Sequence, residues 1–382
     1  MRWLTPNGKI KRTPQVPAGE VWVPLHKLSL DRAGCWYVKS GIQVPGGGVA
    51  RYYLAGVGKN ALVSTEITGY ALSTLVYLYE KRGDQSFLDA AIRGGRFLVD
   101  RAWNPRLKTF PFEHSDNGTQ PQALTYFFDC GIIVRGLLAL WRATGDASLL
   151  ACAREAGHSM LADFARGDEI DPILALPGKK PLSYGQQWSR SPGCYQLKSA
   201  LAWYELFQVT GDPSFSASYE RALALALESK DRFLPAETAE KTMDRLHAYC
   251  YFLEALLSQS SRPDCREALQ EGIGRVSGYL RQIAPVFARS DVYAQLLRVR
   301  LYVANLTGAP LDEPEALQEA AFIQTFQCES SDARMNGGFY FGRKGETMLP
   351  FLNPVSTAFC LQALDMWCER GQSPQLDPRS II

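Results

Sequence analysis

Glu66, Asp129, His247 and Asp291 are the residues of this 382-residue chain whose types and spacing best suit acid–base chemistry. Each stands at the start of a separate apolar helical run, and each start is rich in polar and aromatic neighbours. Glu66 is followed by Tyr70, and Asp129 by Phe128 on its other side, in Tyr126-Phe127-Phe128-Asp129. The approach to a third run carries Gln187, Trp188, Arg190 and Gln196. A fourth carries Asp244, Arg245, His247 and Tyr249, a fifth Arg289, Asp291 and Tyr293, and a sixth begins at Asn353-Pro354. Two carboxyl groups facing one another across a sugar cleave a glycosidic bond, with their separation deciding retention or inversion. A base partnered by Tyr or His instead removes a proton next to a carboxylate, which leads to elimination or epimerisation. Faces such as Trp188, Phe128 and Tyr249 suit pyranose stacking. Gln187 and Gln196 suit hydroxyls, and Arg190, Arg245 or Arg289 a carboxylate held by paired donors.

The plain alternative is helix capping. Asp and Asn are preferred at helix N-caps, so Asp129, Asp244, Asp291 and Asn353 can be read as caps alone. Capping does not call for Glu66, Arg245, His247, Arg289, Trp188 and several tyrosines at the same six starts, and their company points to a pocket. A rival reading places zinc on Cys130, Cys194, Cys250 and His247, since zinc favours sulfur and nitrogen ligands. No paired-cysteine spacing supports it, and buried cysteines are common. No metal and no cofactor is therefore expected.

The elements that must position these residues repeat. Lys81-Arg82-Gly83-Asp84, Ala143-Thr144-Gly145-Asp146 and Val209-Thr210-Gly211-Asp212 each close an apolar helix and open another, with glycine for the turn and aspartate for the next cap. These turns recur at about 60 to 66 residues, and a fainter copy ends at Thr307-Gly308. The pattern predicts inner helices over 66–81, 126–143, 193–209, 243–259, 290–306 and 355–369. Amphipathic partners are predicted over 86–101, 147–165, 213–229, 263–283 and 313–328. Helices apolar on most sides are buried, so the first set forms an inner ring and the second a half-exposed outer one. Residues 1–60 read as an extended and loop segment, including Val21-Trp22-Val23, that packs on a helical domain over 61–382. Gly46-Gly47-Gly48 and Gly337-Gly338 each precede an inner helix by about 17 residues, so related units at both ends favour a closed ring. A loop around His114 is placed to fold over the mouth.

Composition narrows the classes. Formal net charge is +2 with no basic run, which argues against nucleic acid. No stretch reaches the roughly 18 apolar residues of a membrane span. The first residues lack a signal-peptide core, and nine scattered cysteines fit reduced thiols in the cytoplasm.

The hairpins, Thr-Gly-Asp turns and Gly-Gly lead-ins over about residues 60–370 resemble the six-hairpin (α/α)6 toroids. That group includes unsaturated-uronyl hydrolases, sugar 2-epimerases, polysaccharide lyases and glucuronyl C5-epimerases. Terpenoid cyclases and protein prenyltransferases are more distantly similar. The resemblance implies an all-α toroid with short N-terminal and late β-hairpin insertions, and a pocket where the inner helices begin. It implies a carbohydrate-active hydrolase, lyase or epimerase acting on an oligosaccharide or uronate-containing glycan. A non-catalytic glycan- or peptide-binding toroid, or a zinc or terpenoid-type cyclase, is the alternative.

Overall fold

The Gly-Asp turns are where the chain reverses. Gly83, Gly145, Gly211 and Gly308 end four inner helices in the left-handed conformation, with φ between 67° and 73°, which glycine adopts without a Cβ penalty. Asp84, Asp146 and Asp212 then accept the backbone N–H two residues on and start the next helix. In this computed structural model residues 22–114, 123–167, 169–185, 187–371 and 375–382 are described, with backbone alone for 22–29. The inner helices are α2 (Thr65–Arg82), α4 (Phe127–Thr144), α6 (Leu197–Thr210), α8 (Ala239–Leu256), α10 (Ser290–Thr307) and α12 (Pro354–Glu369). The outer ones are α1 (Trp22–Lys39), α3 (Gln85–Arg96), α5 (Ala147–Phe164), α7 (Pro213–Ser229), α9 (Pro263–Ile283) and α11 (Glu313–Gln324). α3 continues into a π-helical turn, Phe97–Ala102.

Each inner helix packs on its neighbours in the ring, and α12 closes on α2. The outer helices bridge the gaps, as α3 does between α2 and α4, and α11 between α10 and α12. The inner ring is tight because small residues let backbones meet. A Cβ on Gly136 would lie 2.3 Å from the Gly69 carbonyl oxygen, so α2 and α4 cross at a pair of glycines. Both faces of α12 are buried from Pro354 to Trp367, as expected of an inner helix.

One element departs from the sequence expectation. Trp22–Lys39 is helical, where Val21-Trp22-Val23 suggested an extended piece. Val and Trp favour strands only where a pleated partner exists; here Leu30, Ala33 and Tyr37 recur at helical spacing and are buried. The helix packs on α12 and α3, and Trp36 Nε1 donates to the Arg334 carbonyl at 2.9 Å. α1 thus supplies the sixth outer helix, which the sequence lacked after Trp367.

Short strands sit where four inner helices begin. Val63–Ser64 leads into α2, Leu124–Tyr126 into α4, Phe287–Arg289 into α10 and Phe351–Leu352 into α12. The last pairs with Tyr53–Leu54, in register Phe351↔Leu54 and Leu352↔Tyr53, and so ties the late insertion to the early one. At the opposite end of the ring the tail turns inward. Tyr302 donates to the Asp377 carbonyl, and Ile381 and Ile382 are buried inside the bore. The Ile382 carbonyl accepts from Lys198 at 3.1 Å and Arg298 at 3.3 Å, and the Ile381 carbonyl accepts from Arg135 at 3.1 Å. The C-terminus therefore plugs the bore at that end.

Candidate active site at the mouth of the ring

The capping question is resolved by where the helices start. Ser64 caps α2, Thr238 caps α8 and Asn353 caps α12 through side-chain oxygens, while α4 and α10 carry no side-chain cap. Asp129, Asp244 and Asp291 lie inside their helices and do not serve as N-caps. Asn353 does, its Oδ1 accepting from the N–H groups of Val355 and Ser356, and that accounts for it.

An aromatic cup forms the floor. Tyr251 of α8 sits at its centre, with ring centroids 4.7 Å from Phe128 of α4, 6.5 Å from Tyr70 of α2 and 6.2 Å from Phe359 of α12. His247, one turn earlier on α8, lies 4.5 Å from Tyr251, and half-buried Trp188 leans edge-on over Phe128 at 6.1 Å. Tyr251 was absent from the sequence candidates. Its signal was the i, i+4 spacing from His247, which puts both on one helix face.

One side of the cup holds two carboxyls without a matched cation. Burial pushes the Glu66 carboxyl up to about 7, and the Arg51 guanidinium only partly offsets this. Asp129 is pushed well above the carboxylate range, first by burial and then by the charge of Glu66. Its Oδ2 is buried with no hydrogen-bond partner. Taking a charged carboxylate out of water without a partner is costly, so the pair keeps a proton near neutrality. Asp129, the more deeply buried, holds it; Glu66, partly open to solvent, ionises first. Arg51 is a further residue the sequence reading passed over. It stands at the rim 5.0 Å above the Phe112 ring and 3.5 Å from Glu113, just after the short strand Val49–Ala50. Tyr126 and Arg190 lie together beside it.

The other side is electrostatically closed. Arg289 donates to both oxygens of Asp291, at 3.0 and 2.7 Å, and to Asp244 at 2.8 Å, with its guanidinium 4.3 Å over Phe341. Asp291 is held below the usual carboxylate range: burial opposes this, and the charge and hydrogen bonds of Arg289 outweigh it. It is fixed as an anion and cannot act as an acid near neutrality. His247 Nδ1 lies 2.8 Å from Gln295 Oε1 and 3.7 Å from Asp291 Oδ2. Burial and Arg289 depress its pKa to about 3, so the ring is neutral.

Several sequence candidates point elsewhere. Gln196 closes a local turn, accepting from Gly193 N–H and donating to the Ile170 carbonyl at 2.9 Å. Tyr249 packs under Arg275 of α9, and Tyr293 lies 4.3 Å from Phe322 of α11, so both face the outer ring. On a helix the next face is only one or two residues away, so Tyr249 faces the outer ring while Tyr251 faces the bore. Arg245 donates to the Phe233 carbonyl at 3.3 Å, at the edge of the mouth, and Gln187 is exposed beside Trp188. His114 is described and rings Phe97 at 5.2 Å, but the remainder of its loop, 115–122, lies outside the described residues. The cysteines do not converge. Cys130 bonds Thr125 and Thr109, and among the described residues no three His, Cys, Asp or Glu side chains form a metal-holding group. Burial raises the Cys130, Cys194 and Cys250 thiols.

Beneath the cup lies a buried charged layer. Glu254 pairs with Arg298 and, at 3.0 Å, with Lys198, and the Arg298 guanidinium stacks 4.0 Å from Phe359. Burial lowers Lys198 to about 7 despite Glu254.

No family model matches this chain, and no curated protein matches it significantly. Solved structures do. A sugar epimerase from a ruminal bacterium superposes with TM-score 0.70 at 12% identity, covering 90% of this chain and 98% of its own. D-mannose isomerase gives 0.71 at 9% identity over 92% and 100%. Unsaturated glucuronyl hydrolase from Bacillus sp. GL1 gives 0.59 at 15% identity over 89% and 96%. The chain shares the (α/α)6 toroid fold of these structures, as the hairpin pattern predicted. Among the described residues no helix is long and apolar enough to cross a membrane.

Proposed function

We propose that this protein is a carbohydrate-active enzyme whose Glu66–Asp129 pair performs acid–base chemistry on a sugar seated in the aromatic cup. The observation that carries this reading is a pair of neighbouring carboxyls from adjacent inner helices, Asp129 buried and Glu66 half-buried, both pushed up by burial and with Asp129 Oδ2 unpartnered. Such pairs recur where one group gives a proton and another takes one. Hydrolysis of a glycosidic bond fits best. Asp129 gives its proton to the departing oxygen as the C–O bond breaks. Glu66 takes a proton from the water whose oxygen bonds the anomeric carbon. Phe128, Trp188 and Tyr251 supply stacking faces, and Arg51 and Arg190 at the rim suit an oligosaccharide bearing a carboxylate. The solved structures of similar fold are named for action on sugars, which supports the substrate class. The nine cysteines, with no disulfide, support a cytoplasmic setting.

A second reading, epimerisation or isomerisation, is supported by the similar solved structures named as a sugar epimerase and D-mannose isomerase. The two separate in one experiment. Glu66→Gln and Asp129→Asn are assayed with His247→Gln against a panel of unsaturated uronyl disaccharides, neutral disaccharides, glucose and mannose, with products read by NMR. Hydrolysis predicts a loss of 10²–10⁴-fold in kcat for either carboxyl variant and free reducing sugars as product. Full activity in both carboxyl variants on a substrate the native protein turns over refutes the reading.

A further inference from the structure

The geometry points to Gln295 as a positioning residue. We propose that it locks His247 in the tautomer with Nδ1 protonated, presenting Nε2 as a fixed lone pair that accepts a hydrogen bond from a sugar hydroxyl. The ligand part rests on the carbohydrate reading above; the lock does not.

The argument is donor and acceptor counting. Gln295 is fully buried on α10, and its Nε2 lies 3.4 Å from the His247 backbone carbonyl. A carbonyl oxygen only accepts, so the amide nitrogen must face it. The amide oxygen then faces His247 Nδ1, at 2.8 Å. That oxygen also only accepts, so Nδ1 must carry the hydrogen. Asp291 Oδ2, 3.7 Å away and held by Arg289, favours the same proton position. A neutral imidazole with Nδ1–H has a bare Nε2. Among the described residues Nε2 has no hydrogen-bond partner, and it is not among the sealed, unsatisfied atoms, so it keeps access to solvent. The ring is clamped between Tyr251 at 4.5 Å and Trp188 at 6.1 Å, which fixes the direction of the lone pair.

The charged groups around the ring come from one helix and the strand that leads into it. Arg289, Asp291 and Arg298 face it from α10 and its lead-in, and the Arg cations oppose protonation. An imidazole so hard to protonate stays neutral and keeps its Nε2 lone pair available to accept a hydrogen bond. A ligand that presents a hydroxyl fills the site, and an analogue lacking that hydroxyl leaves a buried lone pair unmatched.

The test is long-range ¹H–¹⁵N NMR of the ¹⁵N-labelled full chain, with His247→Asn identifying its resonances among the four histidines. In the native protein His247 should show protonated Nδ1 and bare Nε2 from pH 6 to 8. An Nε2-protonated ring, a mixture, or an imidazolium at pH 6 overturns the lock. Gln295→Leu should populate the other tautomer to a tenth or more, and Gln295→Glu, still an acceptor, should restore the native pattern. A native pattern in Gln295→Leu assigns the lock to Asp291 and overturns the role of Gln295. Glucose, mannose and glucuronate serve as probes: at least one should shift Nε2 and leave Nδ1 in place. No shift with any of the three overturns the hydroxyl-acceptor role. None of these measurements needs turnover, so they fail separately from the catalytic reading.

Discussion

Replacing Glu66 by glutamine should make the protein more stable at pH 8 while removing its activity. The sign follows from the raised pKa. The unfolded carboxyl releases its proton near 4.5, and the folded one near 7. Between these values the folded state binds more protons than the unfolded one, so stability falls as pH rises and the penalty is complete above pH 7. A shift of that size corresponds to about 3 kcal/mol. Glu66 is partly open to water, and solvent screening lowers the expected gain to about 2 kcal/mol. Glutamine keeps the shape and removes the ionisation. Urea unfolding of both proteins at pH 5 and pH 8 measures it: the variant should gain at pH 8, and most of that gain should disappear at pH 5. Asp129→Asn acts in the same direction, and the double variant should gain less than the sum, because the charge of Glu66 is part of what raises Asp129. A Glu66→Gln protein no more stable than the native one at pH 8 shows that the pair is well solvated, and removes the basis of the catalytic reading.

Two other outcomes follow from the same structure. The pH dependence of kcat/KM should climb tenfold per unit below pH 7, as Glu66 ionises, and level off above it; a flat profile from pH 5 to 8 removes Glu66 as the base. Alanine at Gly136 should destabilise by about 3 kcal/mol, because its Cβ meets the Gly69 carbonyl oxygen at 2.3 Å. Alanine at Gly278, mid-helix in α9 with nothing within 4 Å, should stabilise by about 0.5–1 kcal/mol. Thermal melts of the two variants check the opposite signs.

The ring was legible because its signals are local. A glycine in the left-handed region followed by a capping aspartate marks a helix boundary from sequence alone, and five outer helices and six inner ones fell where those marks and the apolar runs placed them. α1 was not legible, since Val21-Trp22-Val23 reads as strand until Leu30, Ala33 and Tyr37 find α12 and α3. The mouth was legible as a region and not as a set of atoms. Glu66, Tyr70, Phe128, Asp129, Trp188 and His247 come together there. Tyr249 and Tyr293 turn outward, because which tyrosine of a helical run faces the bore depends on the rotation of the helix in the ring. Arg51 could not be read at all: it reaches the carboxyl pair only through the pairing of Val49–Ala50 with Val63–Ser64.

What most distinguishes the mouth is how unevenly its charges are matched. Across α8 and α10, two aspartates share one buried arginine, and Asp291 stays ionised with both oxygens bonded. Across α2 and α4, two carboxyls share a rim arginine that also serves Glu113, and Asp129 Oδ2 has no partner. A fold selected only for stability would match the second pair as it matches the first, since an unpaired buried carboxyl costs more than a neutral residue. The unmatched pair opens on the aromatic cup, and the matched one holds the histidine that edges it. Stability is spent on one side of the cup and secured on the other, which is the expected pattern when one wall exchanges protons with a ligand and the other orients it.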